Sequence, residues 1–175
     1  RVDTIIGAAD TIAALGRQAR RIDRYVSAAQ GDTTVALPAT VRDVLESIDT
    51  VGVDVSVDVP ESAHVVTNER ALVGALESAL DNAMTYADSA VSITVIERPD
   101  AYLIRVVDDG PGVPEWELNS LDAATETALE HSTGIGLWQL KWGVTTLNGE
   151  LSFDTEDGTT VEIFVPDRGA ERATP

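Results

Sequence analysis

Three short runs in the chain carry residue types and spacings that could do chemistry on a charged ligand. In Ser78-Ala79-Leu80-Asp81-Asn82-Ala83-Met84-Thr85-Tyr86, positions 78, 82, 85 and 86 stand at i, i+4, i+7 and i+8, so a helix would gather them on one polar face. Asn is a weak helix former, so something other than propensity keeps Asn82 in mid-helix. In Asp108-Asp109-Gly110-Pro111-Gly112, glycines permit positive φ and close approach of a ligand, and an Asp at a strand end can accept a hydrogen bond from an amino group. In Ser132-Thr133-Gly134-Ile135-Gly136-Leu137-Trp138, a Gly-rich stretch enters a helix. Backbone N–H groups and the positive end of the helix dipole make such a place an anion or phosphate site.

These runs need elements to hold them. Residues 2–29 carry Ile5, Ile6, Ala9, Ile12, Ala13, Leu15, Ala19, Ile22, Tyr25 and Val26 near a 3.6-residue period, with Arg17, Arg20, Arg21 and Arg24 opposite, which predicts one long amphipathic helix. Gln30-Gly31-Asp32 ends it, and a Pro-started helix runs from Leu37 to Ile48. The alternation from Val53 to Val59 predicts a half-buried strand stopped by Pro60, and Ala63 to Thr67 a second. Asn68 caps a helix to about Asp88, with Leu72, Leu76, Leu80, Ala83 and Ala87 on one stripe. Strands from Val91 to Glu97 and Tyr102 to Val107 follow. Residues 115–133 are polar and weakly periodic, read as a mobile loop holding no more than a turn of helix. A helix over Gly134 to Leu147 and a hairpin of Glu150 to Asp154 with Thr159 to Val165 complete the pattern, and a polar tail, 167–175, is expected to be disordered. The order of elements predicts a layer of helices on one mixed sheet, an α/β sandwich.

Composition narrows the chemistry. The 175 residues hold 12 Lys+Arg against 30 Asp+Glu, a net charge of −18, and no Cys. A nucleic-acid backbone or an anionic membrane would have to be reached through the protein's own repulsive field. Without Cys there is no thiol nucleophile, disulfide framework or thiolate zinc site, and His64 and His131 stand too far apart in sequence to suggest a His cluster. No run approaches the roughly 20 apolar residues that cross a bilayer. A start at Arg1 is expected of a piece cut from a longer protein. Of the basic residues, 11 are Arg and only Lys141 is Lys. With acids spread along the whole chain, this is the balance of a protein adapted to molar salt, where screening lets a highly charged surface persist.

Together the three runs are more specific than each alone: Asn82 and Asp108 lie 26 residues apart, and Asp108 and Gly134 another 26. The sequence here resembles the ATP-binding domain shared by sensor histidine kinases, DNA gyrase, Hsp90-type chaperones and MutL-type repair proteins. Asp81 to Tyr86 resembles the kinase N box, Asp108 to Pro114 the G1 box, and Ser132 to Leu137 the G2 box. Leu147 to Phe153 and Gly158 to Pro166 are similar to the kinase C-terminal hairpin. The resemblance covers residues 35–166. Tyr86 and the Gly-Pro-Gly turn favour the kinase branch, and Trp138 with the acidic composition resembles halophilic archaeal members.

The resemblance implies a Bergerat-type fold, a mixed and mostly antiparallel sheet covered on one face by helices. It further implies that Asn82 holds Mg²⁺ on a triphosphate, Asp108 takes the adenine amino group, Gly110 and Gly112 admit the adenine, and Tyr86 lies near the base. Backbone amides of Thr133, Gly134, Ile135, Gly136 and Leu137 would wrap the phosphates, under a lid formed by 115–133. An amide oxygen suits Mg²⁺, which takes few protein ligands beside phosphate oxygens. The implied activity is transfer of the γ-phosphoryl of ATP to a His on a segment outside this chain, for relay to a response-regulator Asp. Expected partners are ATP, the His-bearing dimerisation domain of the same protein, of which residues 1–30 would be a remnant, the response regulator, and a second copy through residues 2–29. A cytoplasmic location is expected, with any membrane anchor outside this piece.

The chain also departs from the kinase pattern. Ser78 stands where kinases usually have Asn and hydrolysing relatives Glu, and Glu77 falls on another helical face. Thr85 replaces a basic residue, Ser132 replaces the first Gly of the G2 box, and the lid is short and lacks a Phe-rich segment. Neither His is placed as a phosphoacceptor. These departures favour, as a rival reading, a non-catalytic nucleotide-binding or dimerisation module. An anti-sigma-type serine kinase is a second rival, against which the long first helix speaks.

Overall fold

A computed structural model describes residues 31–122 and 135–171. The chain runs β1 (Thr33–Ala36), α1 (Leu37–Glu46), β2 (Asp54–Asp58), β3 (His64–Thr67), α2 (Glu69–Tyr86), β4 (Ala90–Arg98), β5 (Ala101–Asp108), α3 (Glu115–Asp122), α4 (Ile135–Thr146), β6 (Glu150–Asp154), β7 (Thr159–Pro166) and α5 (Arg168–Glu171). Five strands form one sheet in the order β2-β4-β5-β7-β6, and β1 and β3 form a separate antiparallel pair. Among the described strands of the large sheet, only β2 and β4 are parallel. This is the mixed sheet under helices that the element order predicts, and it is mostly antiparallel, as the resemblance implies.

Local chemistry sets the boundaries of the helix that matters most. Asn68 is extended, and its side-chain oxygen accepts from the N–H of Ala71 at 3.0 Å, closing the start of α2. From there Leu72, Leu76 and Leu80 face inward, fully buried against Ile93, Ile104 and Ile163 of the sheet. On α4 the corresponding row is Leu137, Leu140, Val144 and Leu147. Burying such side chains contributes about 1.5–3 kcal/mol each, so the two helices are fixed on the sheet mainly by this shared stripe.

Contacts at one corner give the helices their direction. Asp167, just past β7, accepts from the N–H of Val66 at 3.0 Å, close to the start of α2. Beside it, Arg168 donates to the carbonyl of Thr146 at the end of α4 and pairs with Asp32 at 2.8 Å. The other end of α2 lies at the opposite end of the strands, where Tyr86 meets Gly110 just beyond β5. Hence α2 and α4 run antiparallel, and the first turn of α4 stands beside the last turns of α2.

Three expectations change. The strand β1 is not foreseen, because Thr33-Thr34-Val35-Ala36 is too short and too polar to show a period, and it forms by pairing with β3 from Thr33↔Thr67 to Ala36↔His64. The disordered tail is corrected for residues 167–171, because Asp167 and Arg168 bond β3, α4 and Asp32 and a short helix follows. Residues 115–122, expected within a mobile loop, form α3. The predicted helix of 2–29, the rest of the expected lid and 172–175 lie outside the described residues.

Candidate functional site

Asp108 ends β5 and is only 3% exposed. Period-2 alternation turns it to the helix side of the sheet, in line with Val106 and Ile104. Its Oδ1 accepts from the N–H of Gly110 at 2.9 Å, and Thr159, opposite it on β7, donates to the carboxylate through both its hydroxyl and its backbone N–H. Burial pushes the Asp108 carboxyl above its ordinary pKa of 3.8, and these hydrogen bonds oppose the shift without cancelling it. The result is a buried carboxylate with fixed orientation and acceptor capacity left for an amino group.

Its neighbour Asp109 has a different role, which sequence reasoning missed. Oδ1 accepts from the N–H groups of Asp88, Ser89 and Ala90 at 3.0, 2.9 and 3.0 Å, and Oδ2 from the Ser89 hydroxyl at 2.5 Å. The Ser89 hydroxyl first, then the Ser89 and Ala90 N–H groups, hold this carboxyl well below the usual range. One side chain thus pins the exit of α2 to the end of β5. A lowered pKa contributes stability that is present above 3.8 and fades as pH falls through the lowered value. Asp109→Ala should therefore lower the thermal midpoint by a few degrees at pH 7, and the gap to the native chain should narrow as the medium is acidified below pH 4. An equal gap at all pH values would contradict the ionic origin of the bond.

The glycines divide the work. Gly112 has φ +80°, a left-handed conformation that favours glycine. At Gly110 the reason is space: an added Cβ would lie 2.2 Å from the Tyr86 carbonyl oxygen. Gly110 therefore lets α2 and β5 approach each other, which brings the polar end of α2 to Asp108. Asn82 lies one turn before Tyr86 and is half-buried, and the Tyr86 side chain is 45% exposed beside the turn. Thr85 is exposed and bonds back to the Asp81 carbonyl.

On the facing helix, α4 begins at Ile135, so its first N–H groups stand at the Asn82 end of the pair. Gly136 is half-buried with open space around it, whereas the Leu137 side chain is core, so only its backbone faces the opening. Thr133 and Gly134 lie outside the described residues. The structure thus sets Tyr86 against Gly110, two residues from both Asp108 and Gly112, with Asn82 one turn earlier on α2 and the start of α4 beside those last turns. Besides Asp109, sequence reasoning missed Thr159. Its signal is Thr159 heading the row Thr159, Val161, Ile163 and Val165 on the buried face of β7.

A family model described as "Histidine kinase-, DNA gyrase B-, and HSP90-like ATPase" matches residues 67–169. The chain belongs to this family of ATPases. What it carries is the family's ATP-binding domain in its sensor-kinase form. The sensor protein kinase CarS of Pseudomonas aeruginosa is 31% identical over 130 residues, covering 70% of this chain and 29% of CarS. The sensor histidine kinase GtrS of the same organism is 31% identical over 105 residues, 58% of this chain and 22% of GtrS. The chain therefore spans less than a third of the length of these relatives. Among solved structures, the Acinetobacter baumannii histidine kinase AdeS superposes with a TM-score of 0.70 at 18% identity, covering 91% of this chain and 81% of that one. The mycobacterial sensor histidine kinase MprB gives 0.65 at 22% identity, covering 78% and 98%. These two share the fold.

Proposed function

We propose that this chain binds Mg-ATP and presents its γ-phosphoryl to a histidine outside this chain, as the catalytic region of a two-component sensor kinase that relays to a response regulator. The observation that carries the reading is Asp108, a buried carboxylate held by Gly110 and Thr159 and set between the end of α2 and a glycine turn. Such an acceptor suits the exocyclic amino group of adenine, and Tyr86 stands beside the same opening. The first turn of α4 supplies N–H groups to phosphate oxygens.

The metal donor set fits a cation that arrives with the nucleotide. Among the described residues no group of three or more His, Asp or Glu could hold a metal by itself. The Asn82 amide oxygen would be the protein's ligand, and Mg²⁺ would neutralise charge on the triphosphate. Among the described residues no helix is long and apolar enough to cross a membrane. Salt adaptation, as in halophilic archaea, is part of the same proposal. Its support is the net charge of −18 with 11 Arg among 12 basic residues. A second copy is proposed to pair through residues 2–29. The rival reading, a nucleotide-binding module without transfer, is favoured by Ser78, which offers neither a second amide nor a carboxylate.

Calorimetric titration with ATP in molar KCl, with and without Mg²⁺, tests the proposal. Mg²⁺ is expected to strengthen binding, and Asn82→Ala is expected to abolish that Mg²⁺ dependence while adenosine still binds. Binding that stays Mg²⁺-dependent in the variant would overturn the Asn82 assignment. No binding of ATP or adenosine by the folded native chain would overturn the nucleotide reading.

A further inference from the structure

Three buried side-chain atoms have no hydrogen-bond partner among the described residues: Thr67 Oγ1, Ser78 Oγ and Gln139 Nε2. A buried donor left unmet is costly, so each needs a physical account. Thr67 sits at the far corner, before α2. Ser78 and Gln139, each 2% exposed, belong instead to the middle of the two helices that meet at the site.

Their positions follow from the packing of α2 on α4. A Cβ added to Gly143 would come within 3.3 Å of the Ala71 carbonyl and of the Ala75 side chain, which fixes the point of closest approach. Four residues, about 6 Å, toward the site from that point lead to Gln139 on α4 and to Ala79, beside Ser78, on α2. The two orphaned groups therefore lie on the same seam, Ser78 one turn below Asn82 and Gln139 one turn inside the start of α4. Side chains on a helix lean toward its N-terminus, so Gln139 leans toward the proposed phosphate end.

We propose that Ser78 and Gln139 bind one buried water on this seam and are thereby positioning residues for the terminal phosphates of the nucleotide. The Gln139 carboxamide N–H donates to the water, and the Ser78 hydroxyl makes a second bond to it. An O–H of the water is then left to donate toward the first turn of α4. A donor aimed there adds to the N–H groups that receive phosphate oxygens. The proposal rests on the nucleotide reading above, and the probe ligands separate the two.

The test uses the 175-residue chain with Ser78→Ala, Gln139→Leu and the double variant, titrated with ATP and with adenosine in Mg²⁺ and molar KCl. Each single variant should raise the Kd for ATP about tenfold, the scale of one lost bond to a charged group, and leave that for adenosine unchanged. The thermal midpoint of the double variant should hold or rise, since removing both polar groups leaves no orphan. Unchanged ATP affinity would overturn the proposal, and so would equal losses for ATP and adenosine, which would mark a packing role. If Gln139→Leu does not fold, Ser78→Ala alone decides between these outcomes. A native chain that binds neither ligand would remove the nucleotide reading and this proposal with it. Native binding that neither variant disturbs would remove this proposal only.

Discussion

Asp108→Asn is expected to weaken ATP binding by about 1–3 kcal/mol, roughly five- to 150-fold, with little change in the stability of the fold. The two effects separate because they have different causes. The folded-state pKa of Asp108 lies above its ordinary 3.8, so the folded chain holds this proton more tightly than the unfolded chain does. The stability contributed by such a group is greatest below 3.8 and declines as pH rises through the raised value. At pH 7 the full cost of burying the anion is present, and Asn does not carry it. Against that gain, the Thr159 N–H or the Gly110 N–H loses a charged acceptor. Binding has no such compensation, because an NH₂ group set against the adenine amino group places donor against donor. Calorimetry and thermal unfolding on the same samples check both halves. ATP affinity equal to that of the native chain would refute the adenine assignment. The native chain should also lose affinity on acidification at a higher pH than an exposed Asp would, and the variant should lack that component of the pH dependence.

The sequence made the large elements legible because their burial is periodic. The stripe of Leu72, Leu76 and Leu80 appears in the structure as the buried row it predicts, and the alternation of Val53 to Val59 as the strand β2. The helix, strand end and turn expected around the first two boxes are present as α2, the end of β5 and the turn after it, with Tyr86 set against Gly110. What stayed hidden depends on contacts between segments distant in sequence. Asp109 reads as one acid in an acidic turn, and only the fold shows that it bonds the exit of α2 some 20 residues away. Gly110 looks like room for a ligand, yet the space it leaves is taken by the Tyr86 carbonyl of the protein itself. Ser78 reads as a missing amide, while its burial and that of Gln139 on the neighbouring helix have no trace in local pattern. β1 and the segment after Pro166 are short and polar, and their order comes from partners far along the chain: β3, Asp32 and Thr146.

Gly158→Ala should be the most damaging single methyl group that the site can receive, destabilising the fold by about 2–5 kcal/mol and lowering ATP affinity as well. Gly158 closes the turn between β6 and β7 with φ +88°, a conformation that costs an L-residue roughly 1–2 kcal/mol. The second part of the effect is steric. A Cβ there would lie 2.1 Å from the carbonyl oxygen of Asp108 and 3.1 Å from its carbonyl carbon. Neither atom belongs to a flexible side chain, so relief requires the start of β7 to move away from the end of β5, a rearrangement on the scale of about 1–3 kcal/mol. That movement takes Thr159 with it, because Thr159 is the next residue and donates to the Asp108 carboxylate. Losing those bonds removes part of what opposes desolvation and leaves the Gly110 N–H, so the Asp108 carboxyl should rise further and become a poorer acceptor for an amino group. Gly52→Ala supplies the control. Gly52 has φ +85°, yet nothing lies within 4 Å of the added methyl, so it isolates the conformational cost. The midpoint of Gly158→Ala should fall by roughly 4–20 °C, well beyond that of Gly52→Ala, and only Gly158→Ala should lose nucleotide affinity. Equal losses of stability in the two variants, with ATP affinity intact in both, would show that the β6–β7 turn does not hold Asp108 in place.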